Sequence, residues 1–373
     1  MDALMLPLNW QKVRLGDIGK PCMCKRVMKH QTTRYGEIPF YKIGTFGNTA
    51  DAFISKKLFL EYKTKYSFPK KGDILISASG TIGRAVIYDG KPAYFQDSNI
   101  VWIDNDETLV KNDFLFYAYS NVKWNTEHTT ILRLYNDNFR NTLIPLPPLN
   151  EQSAIANILS DLDRYLCALD ALILKKEGVK KALSFELLSQ RKRLKGFNQA
   201  WQRVRLGDIA NYLTSNLSVE QITQQGEIKV YDANNFIGYT DTTFISDKPY
   251  ISIVKVGSVG RVRILPPKTN ILSTMGALIA NHRTTTEFLS YLLSNFDFKN
   301  FTSGSIIPHI YFKDYKEKTI FLPPLNEQSA IANILSALDN EIISLKNKKR
   351  QFENIKKALN HDLMSAKIRV LEK

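Results

Sequence analysis

The sequence is poor in cysteine, in histidine and in long apolar runs. Three cysteines, Cys22, Cys24 and Cys167, are too few and too odd in number for a disulfide framework. No window approaches the roughly 18 consecutive apolar residues that span a membrane. Met1–Trp10 contains Asp2 and lacks a basic stretch leading into an apolar one, so no signal peptide is expected. These absences point to a cytoplasmic chain with no membrane partner. The five histidines, His30, His128, His282, His309 and His361, stand in unrelated contexts. No nucleophile, base and orienting group assemble from the sequence. A Gly-x-x-x-x-Gly-Lys-[Ser/Thr] phosphate loop is absent, which excludes a P-loop motor. Cys22-x-Cys24 with His30 raises a metal site, but the spacing is not Cys-x2-Cys. The second half of the chain offers Leu213 and Asn216 there instead of cysteine, so no metal is expected.

What is abundant is positive charge. The 373 residues carry 51 Lys plus Arg against 36 Asp plus Glu, a net charge of +15. Apolar residues make up 44% and charged residues 23%, ordinary for a globular protein, so disorder is not the reason for the imbalance. The length suits about two to three domains. Such a surplus points to a polyanion, most often nucleic acid; the plainer reading is a basic but merely soluble protein.

The chain also contains itself twice. Trp10-Gln11-Lys12-Val13-Arg14-Leu15-Gly16-Asp17-Ile18 returns 191 residues later as Trp201-Gln202-Arg203-Val204-Arg205-Leu206-Gly207-Asp208-Ile209. Leu146–Ser160 returns unchanged as Leu322–Ser336. Weaker echoes lie between. Gly36-Glu37-Ile38 with Tyr41 matches Gly226-Glu227-Ile228 with Tyr231. Phe53-Ile54-Ser55 matches Phe244-Ile245-Ser246. Gly80-Thr81-Ile82-Gly83-Arg84 matches Gly257-Ser258-Val259-Gly260-Arg261. Between the last two pairs the second copy has lost about 14 residues. A period this long is a duplicated domain, not a solenoid. Shared frames with divergent interiors suggest one scaffold presenting two binding surfaces.

The repeated Leu-Pro-Pro-Leu segments read as helix starts. Pro148 and Pro324 precede a helix well, Asn150 and Asn326 suit the N-cap, and Glu151 and Glu327 suit the first turn. Pro-Pro also raises an adenine methyltransferase loop. The polar residue before it and the aromatic after it are missing in all three contexts, at residues 146–149, 265–268 and 322–325. Apolar residues then recur at coiled-coil spacing: Ile155, Leu159, Leu162, Leu166, Leu169 and Ile173. The second copy gives Ile331, Leu335, Leu338, Ile342 and Leu345, then Phe352, Ile355, Leu359 and Leu363. The alternative is an ordinary amphipathic helix lying on a globular core. A helix from Asn150 to Gln190 would run roughly 60 Å and could hold two domains apart. Asp73–Ser77 and Ala85–Tyr88 read as strands, and Phe114–Ser120 and Glu287–Asn295 as helices. The expected division is 1–145, a helix within 146–196, 197–321, and a helix within 322–373. The fold class is α+β: two mixed α/β domains separated by two long antiparallel helices.

Basic residues crowd 175–195 and 345–373, a pattern that also fits a solvated helix face. In the first domain they interleave with aromatics, from Lys25-Arg26, Lys29, Arg34-Tyr35 and Tyr41-Lys42 to Lys63-Lys65-Tyr66. Such mixtures supply phosphate and base contacts. The repeated Gly-x-x-Gly-Arg reads as a turn, and its repeated arginine favours a place at a DNA backbone.

The whole pattern resembles the specificity (S) subunit of a type I restriction–modification enzyme. The duplicated Trp-x-x-Val-x-Leu-Gly-Asp-Ile opening and the duplicated Leu-Pro-Pro-Leu-Asn-Glu-Gln helix start carry the likeness. So do the stretch from Gly72 to Gly83 and the alternation of domain and helix, which together cover nearly the whole chain. The second domain departs by keeping only Gly257–Arg261 of that stretch. The resemblance implies that each domain reads one half of a bipartite, asymmetric site in double-stranded DNA. It implies that the helices set the gap and dock two methyltransferase (M) subunits. Those subunits would bind S-adenosylmethionine, this chain would bind no cofactor and catalyse nothing, and motor–nuclease (R) subunits could join. Candidate DNA contacts are Lys25, Arg26, Arg34, Tyr41, Lys42, Thr81, Arg84, Arg133, Tyr231, Ser258, Arg261 and Arg263. Candidate helix-pairing and M-subunit contacts are Pro148, Asn150, Glu151, Gln152, Ile155, Leu159, Leu162, Leu166 and Leu169. Their counterparts are Pro324, Asn326, Glu327, Gln328, Ile331, Leu335, Leu338, Ile342 and Leu345. The competing readings are a stand-alone DNA-binding regulatory or architectural protein and a coiled-coil adaptor indifferent to DNA.

Overall fold

The computed structural model describes residues 7, 9–126 and 133–370; His128 lies outside the described residues. The chain divides into two compact units. One comprises Met1–Leu169 and Lys348–Lys373, the other Asp170–Asn347. Each unit therefore holds one globular domain and a stretch of both long helices.

In the first unit the strands are β1 (Gln11–Arg14), β2 (Gly19–Met23), β3 (Ile38–Tyr41), β4 (Phe53–Ile54), β5 (Ile74–Ser77), β6 (Ala85–Ile87), β7 (Tyr94–Phe95), β8 (Ile100–Asn105) and β9 (Leu143–Leu146). The helices are α1 (Leu15–Ile18), α2 (Lys56–Lys65), α3 (Asn112–Tyr119), α4 (Asn136–Asn141) and the first part of α5 (Leu149–Leu188). β2, β8, β5 and β6 form an antiparallel sheet in that order. β4, β3 and β7 form a second sheet, with β3 and β7 parallel. β5 is apolar at successive positions because both its faces are covered. Ile74 and Ile76 join Val101, Ile103 and Phe114 in one cluster, while Leu75 joins Ile100, Trp102 and Phe40 in another. That is the period-two alternation of a strand, with a core on each side.

The second unit repeats the plan with β10 (Gln202–Arg205), β11 (Ala210–Thr214), β12 (Ile228–Tyr231), β13 (Phe236–Thr240), β14 (Tyr250–Val254), β15 (Val262–Leu265), β16 (Thr269–Ile271), β17 (Met275–Ala280) and β18 (Thr319–Leu322). Its helices are α6 (Thr286–Ser294), α7 (Phe312–Tyr315) and the first part of α8 (Leu325–Met364). The sheet orders are β11-β17-β14-β15 and β13-β12-β16, again with one parallel pair, β12 and β16. The missing 14 residues fall where α2 stands in the first unit. The chain passes from Ser246 to β14 directly, so Lys63, Lys65 and Tyr66 have no counterpart. β14 takes the place of β5, with Ile251 and Ile253 on one face and Tyr250 and Val254 on the other. The strands expected at residues 73–77 and 85–88, and the helices at 114–120 and 287–295, are found within two residues of their bounds. Thr285 caps α6 and Ser55 caps α2, each hydroxyl accepting a backbone N–H at 3.2 Å.

Both long helices have 40 residues, and two expectations about them need correction. Asn150 and Asn326 are not N-caps. The helices begin at Leu149 and Leu325, two residues before such caps would start them, and the carbonyls of Pro148 and Pro324 accept the first intrahelical bonds, from Gln152 and Gln328, each at 2.9 Å. Proline at that position costs nothing, because its carbonyl is what the helix needs. Nor is the apolar series one continuous seam. Ile155 and Leu159 lie in the core of the first domain, and Ile331 and Leu335 in that of the second. The first two turns are thus amphipathic helix on a globular core, and Ile355 is exposed. Further along, the helices pair with opposite chain directions inside each unit. In the first, Tyr165 meets Phe352 at 4.7 Å and Asp163 pairs with Lys356. In the second, Lys176 pairs with Glu341 at 2.7 Å, Lys346 with Glu177 at 2.6 Å, and Lys180 with Asp339.

Candidate nucleic-acid interface

The two sequence signatures turn out to be neighbours. β1 pairs with β9, bringing the Trp-x-x-Val opening beside the helix start, and β10 pairs with β18 in the same register. Trp10 Nε1 donates to Glu151 at 3.1 Å, and Trp201 Nε1 donates to Glu327 at 3.0 Å. An arginine after each long helix completes the lock: Arg369 reaches Glu151 at 2.7 Å and Arg193 reaches Glu327 at 2.6 Å. Gln152 donates to the carbonyls of Pro147 and Leu109, and Gln328 to those of Pro323 and Arg283. These buried charges and amides are satisfied on every side, as burial requires. The repeated residues therefore build the frame. Glu151, Gln152, Glu327, Gln328, Ile155, Leu159, Ile331 and Leu335 are all buried in their own units. They serve internal packing. The exposed large apolar side chains of the long helices are others: Leu149 and Ile355 in the first unit, and Leu172, Leu174, Val179, Phe185, Leu325 and Ile343 in the second.

The frame of the first unit carries a cluster of loops. The glycine turn places Gly80 at φ +67° and Gly83 at φ +83°, as the repeated glycines require. Trp124 lies flush on Gly83, where a Cβ would come within 2.1 Å of the indole nitrogen. Thr81 and Arg84 are exposed on this turn. Arg84 donates to the Phe46 carbonyl at 3.0 Å, which ties the turn to the loop after Lys42. Arg133 bridges to Ser79, Ser79 donates to Asn99 at 2.7 Å, and Arg26 pairs with Asp97 at 2.9 Å. Ile43 N–H reaches Gln96 at 3.0 Å, so the loop after Lys42 joins the same group. Lys42 itself pairs with Asp51 at 2.8 Å. Lys25 stands over Tyr66 at 5.1 Å, and Tyr41 stacks on Phe95 at 5.9 Å. Arg34 sits apart from these, exposed on the loop after Lys29–Gln31.

In the second unit the four expected residues also converge. Gly257 and Gly260 both take φ +81°, and Ser258 is exposed between them. Arg261 donates to the Asn234 side chain, and Arg263 donates to the Asn234 carbonyl at 2.7 Å while lying over Tyr231 at 5.1 Å. Sequence reasoning missed Lys255, beside the turn, whose ammonium burial pushes below its ordinary value of 10.5. An arriving phosphate would favour its charged form. Also missed was an exposed ladder: His309 stacks on Tyr311 at 6.4 Å, and Lys313 lies over Tyr311 at 5.6 Å. The signal was present in the run His309-Ile310-Tyr311-Phe312-Lys313, basic and aromatic like the segments noted in the first domain.

A shared pin fastens each domain to the helices of its unit. Tyr117 of α3 donates to Asp163 at 2.8 Å, and Lys356 pairs with the same carboxylate. In the second unit Tyr291 of α6 donates to Asp339 at 2.8 Å, with Lys180 as the cation. Burial first, then the neighbouring carboxylate, raises both phenols above their ordinary value of 10.0. Cys22 and Cys24 lie on and just after β2, where burial pushes the Cys24 thiol up to about 12. Among the described residues no group of three or more His, Cys, Asp or Glu could hold a metal ion, and no helix is long and apolar enough to cross a membrane.

Comparison with known proteins agrees with this geometry. The family model of the type I restriction modification DNA specificity domain matches residues 7–176 and again 198–354. A type I restriction enzyme specificity subunit of Haemophilus influenzae is 62% identical over 152 residues, 40% of each chain. The MjaVIII specificity subunit of Methanocaldococcus jannaschii is 25% identical over 99% of this chain and 95% of that one. The S subunit of a type I restriction–modification system from M. genitalium has the same fold, with a TM-score of 0.64 at 20% identity over 96% of this chain and 98% of that chain. With both halves matched by one domain model, this chain belongs to the family of type I restriction–modification DNA specificity subunits.

Proposed function

We propose that each recognition domain reads one half of a bipartite, asymmetric DNA site, and that the long helices set the gap between the halves. One observation carries this reading. The same Trp–Glu–Arg lock and the same glycine turn recur in both units, while the loops they hold differ. A repeated frame with two different loop faces is suited to two different half-sequences. Lys25, Arg26, Thr81, Arg84 and Arg133 on one face, and Lys255, Ser258, Arg261 and Lys313 on the other, supply phosphate and base contacts. A 40-residue helix extends about 60 Å, long enough to link half-sites about 34 Å apart, one turn of DNA.

The chemistry belongs to partners. Two M subunits would dock on the exposed apolar residues of the long helices, such as Leu172, Val179 and Ile343, and would bind the S-adenosylmethionine that methylates adenine. R subunits would join for cleavage. This chain would bind no cofactor, and a cytoplasmic location follows from its DNA substrate. The test is co-expression with the neighbouring M subunit and single-molecule sequencing of host DNA for methyladenine. A bipartite motif with a fixed gap, lost when this chain is omitted, is the expected result. No motif, with the partner shown folded and bound, would leave the stand-alone DNA-binding reading.

A further inference from the structure

One loop of the second unit, Gly304–Pro308, displays two neighbouring apolar side chains, of which Ile307 is half exposed and Ile306 is left almost wholly uncovered by its own domain. Ile306 is 92% exposed. The loop beneath it is nonetheless closely held. Ser303 and His309 exchange both backbone hydrogen bonds, at 2.9 and 2.7 Å, which closes the loop as an antiparallel pair. Gly304 adopts φ +93°, and a Cβ there would lie 2.3 Å from the Ile307 carbonyl oxygen. His309 Nδ1 lies 2.7 Å from that same oxygen. The loop is also joined to the repeated glycine turn. Gly257 N–H donates to Pro308 at 2.9 Å, and Ile310 N–H donates to Lys255 at 3.0 Å. Ile306 therefore stands in the same loop group as Ser258 and Arg261. The first unit repeats the anchors, with Leu134 N–H donating to Ala78 and Arg133 bridging to Ser79, yet the bridging residue changes from arginine to histidine.

We infer that Ile306 reads a base in the second half-site, its side chain covering the 5-methyl group of a thymine in the major groove. The inference rests on the half-site reading above. A loop two strands wide fits a groove about 12 Å across and not one about 6 Å across. Thymine's methyl is the apolar group that the major groove offers, and an exposed branched side chain gains most from covering such a group. Arg261, Lys255 and Lys313 flank the loop with cations that would hold it in register on the backbone. The Ser303–His309 closure sets the loop's backbone before DNA arrives, so less main-chain ordering remains to oppose binding.

The experiment uses the complex with its M subunits. Its methylated motif is compared for the unaltered chain, Ile306→Ala and Ile306→Asp. A side chain this exposed can be truncated without touching the core. The expected result is a motif relaxed at one position of the second half, with the first half unchanged, and methylation abolished by the aspartate. Binding is then measured on duplexes with deoxyuridine in place of each thymidine of the second half. One position should weaken binding by about fourfold, the worth of one buried methyl group, and Ile306→Ala should show no such loss. Four results overturn the inference: an unchanged motif in both variants, relaxation in the first half, a second half without thymine, or a deoxyuridine penalty that persists in Ile306→Ala. If the unaltered chain yields no bipartite motif, the half-site reading itself falls, a result distinct from these four.

Discussion

Gly257 and Gly260 share the same φ, yet one extra atom meets different surroundings at each. A Cβ on Gly257 finds nothing within 4 Å, whereas one on Gly260 comes within 2.5 Å of the Phe298 ring. Gly257→Ala should cost only the left-handed strain, about 1–2 kcal/mol. Gly260→Ala should cost about 1–3 kcal/mol more, because the ring must move. Urea unfolding of the two variants measures the difference, and equal midpoints would mean that Phe298 does not lie on the turn. Arg84 belongs to the same scale. It is already tied to the Phe46 carbonyl, but its exposed side chain keeps donors for a phosphate. Arg84→Ala should reduce the slope of binding against salt by about 0.9, the value of one phosphate contact. An unchanged slope would remove Arg84 from the interface.

At the scale of elements, the pins between α3 and α5 and between α6 and α8 make the fold sensitive to alkali. Both phenols have folded pKa values above the ordinary 10.0. A folded pKa raised above the unfolded one gives stability that is whole below the unfolded value and is lost as pH rises through the folded one. Above about pH 10 the urea midpoint of the unaltered chain should therefore fall more steeply than that of Tyr117→Phe. Parallel curves would show that Tyr117 does not keep its proton against Asp163. The long helices allow a second test at this scale. The helices pair through Tyr165 with Phe352 and through Lys176 with Glu341, so an insertion in α5 between Leu159 and Ile173 needs a matching one in α8. Four residues in each add about 6 Å of helix. The gap in the methylated motif should lengthen by about two base pairs, with both half-sequences retained. Methylation of the original spacing would sink the proposal that the helices set the gap.

For the whole molecule, the frame predicts that domains can be exchanged. β1 pairs with β9, and Trp10 locks to Glu151, at the two ends of the first domain. A homologous domain that carries its own Trp-x-x-Val strand should therefore replace residues 1–145 and change only one half of the motif. A change in both halves would show that the two domains do not read independently. The lock was half legible in the sequence. Its tryptophan and glutamate were visible as repeats, but nothing in the spacing said that Trp10 and Glu151 touch. The arginines were invisible: Arg193 and Arg369 lie outside the repeated segments that stand out by identity, and only the fold returns them to Glu327 and Glu151.

By itself, the sequence determined the duplication, the α+β class, the two long helices, the glycine turns and the family. Each of these is written in local identity, periodicity or turn chemistry, which neighbouring residues express without help. The tertiary structure decided the rest. It assigned Ile155, Leu159, Ile331 and Leu335 to domain cores rather than to a seam, because a helix's apolar face does not name what will cover it. It divided the described residues into units that combine distant segments, and it put an apolar tip on a loop closed by the Ser303–His309 pair at Ile306. Burial and long-range pairing depend on which surfaces meet, and a pattern read along one chain carries no record of that.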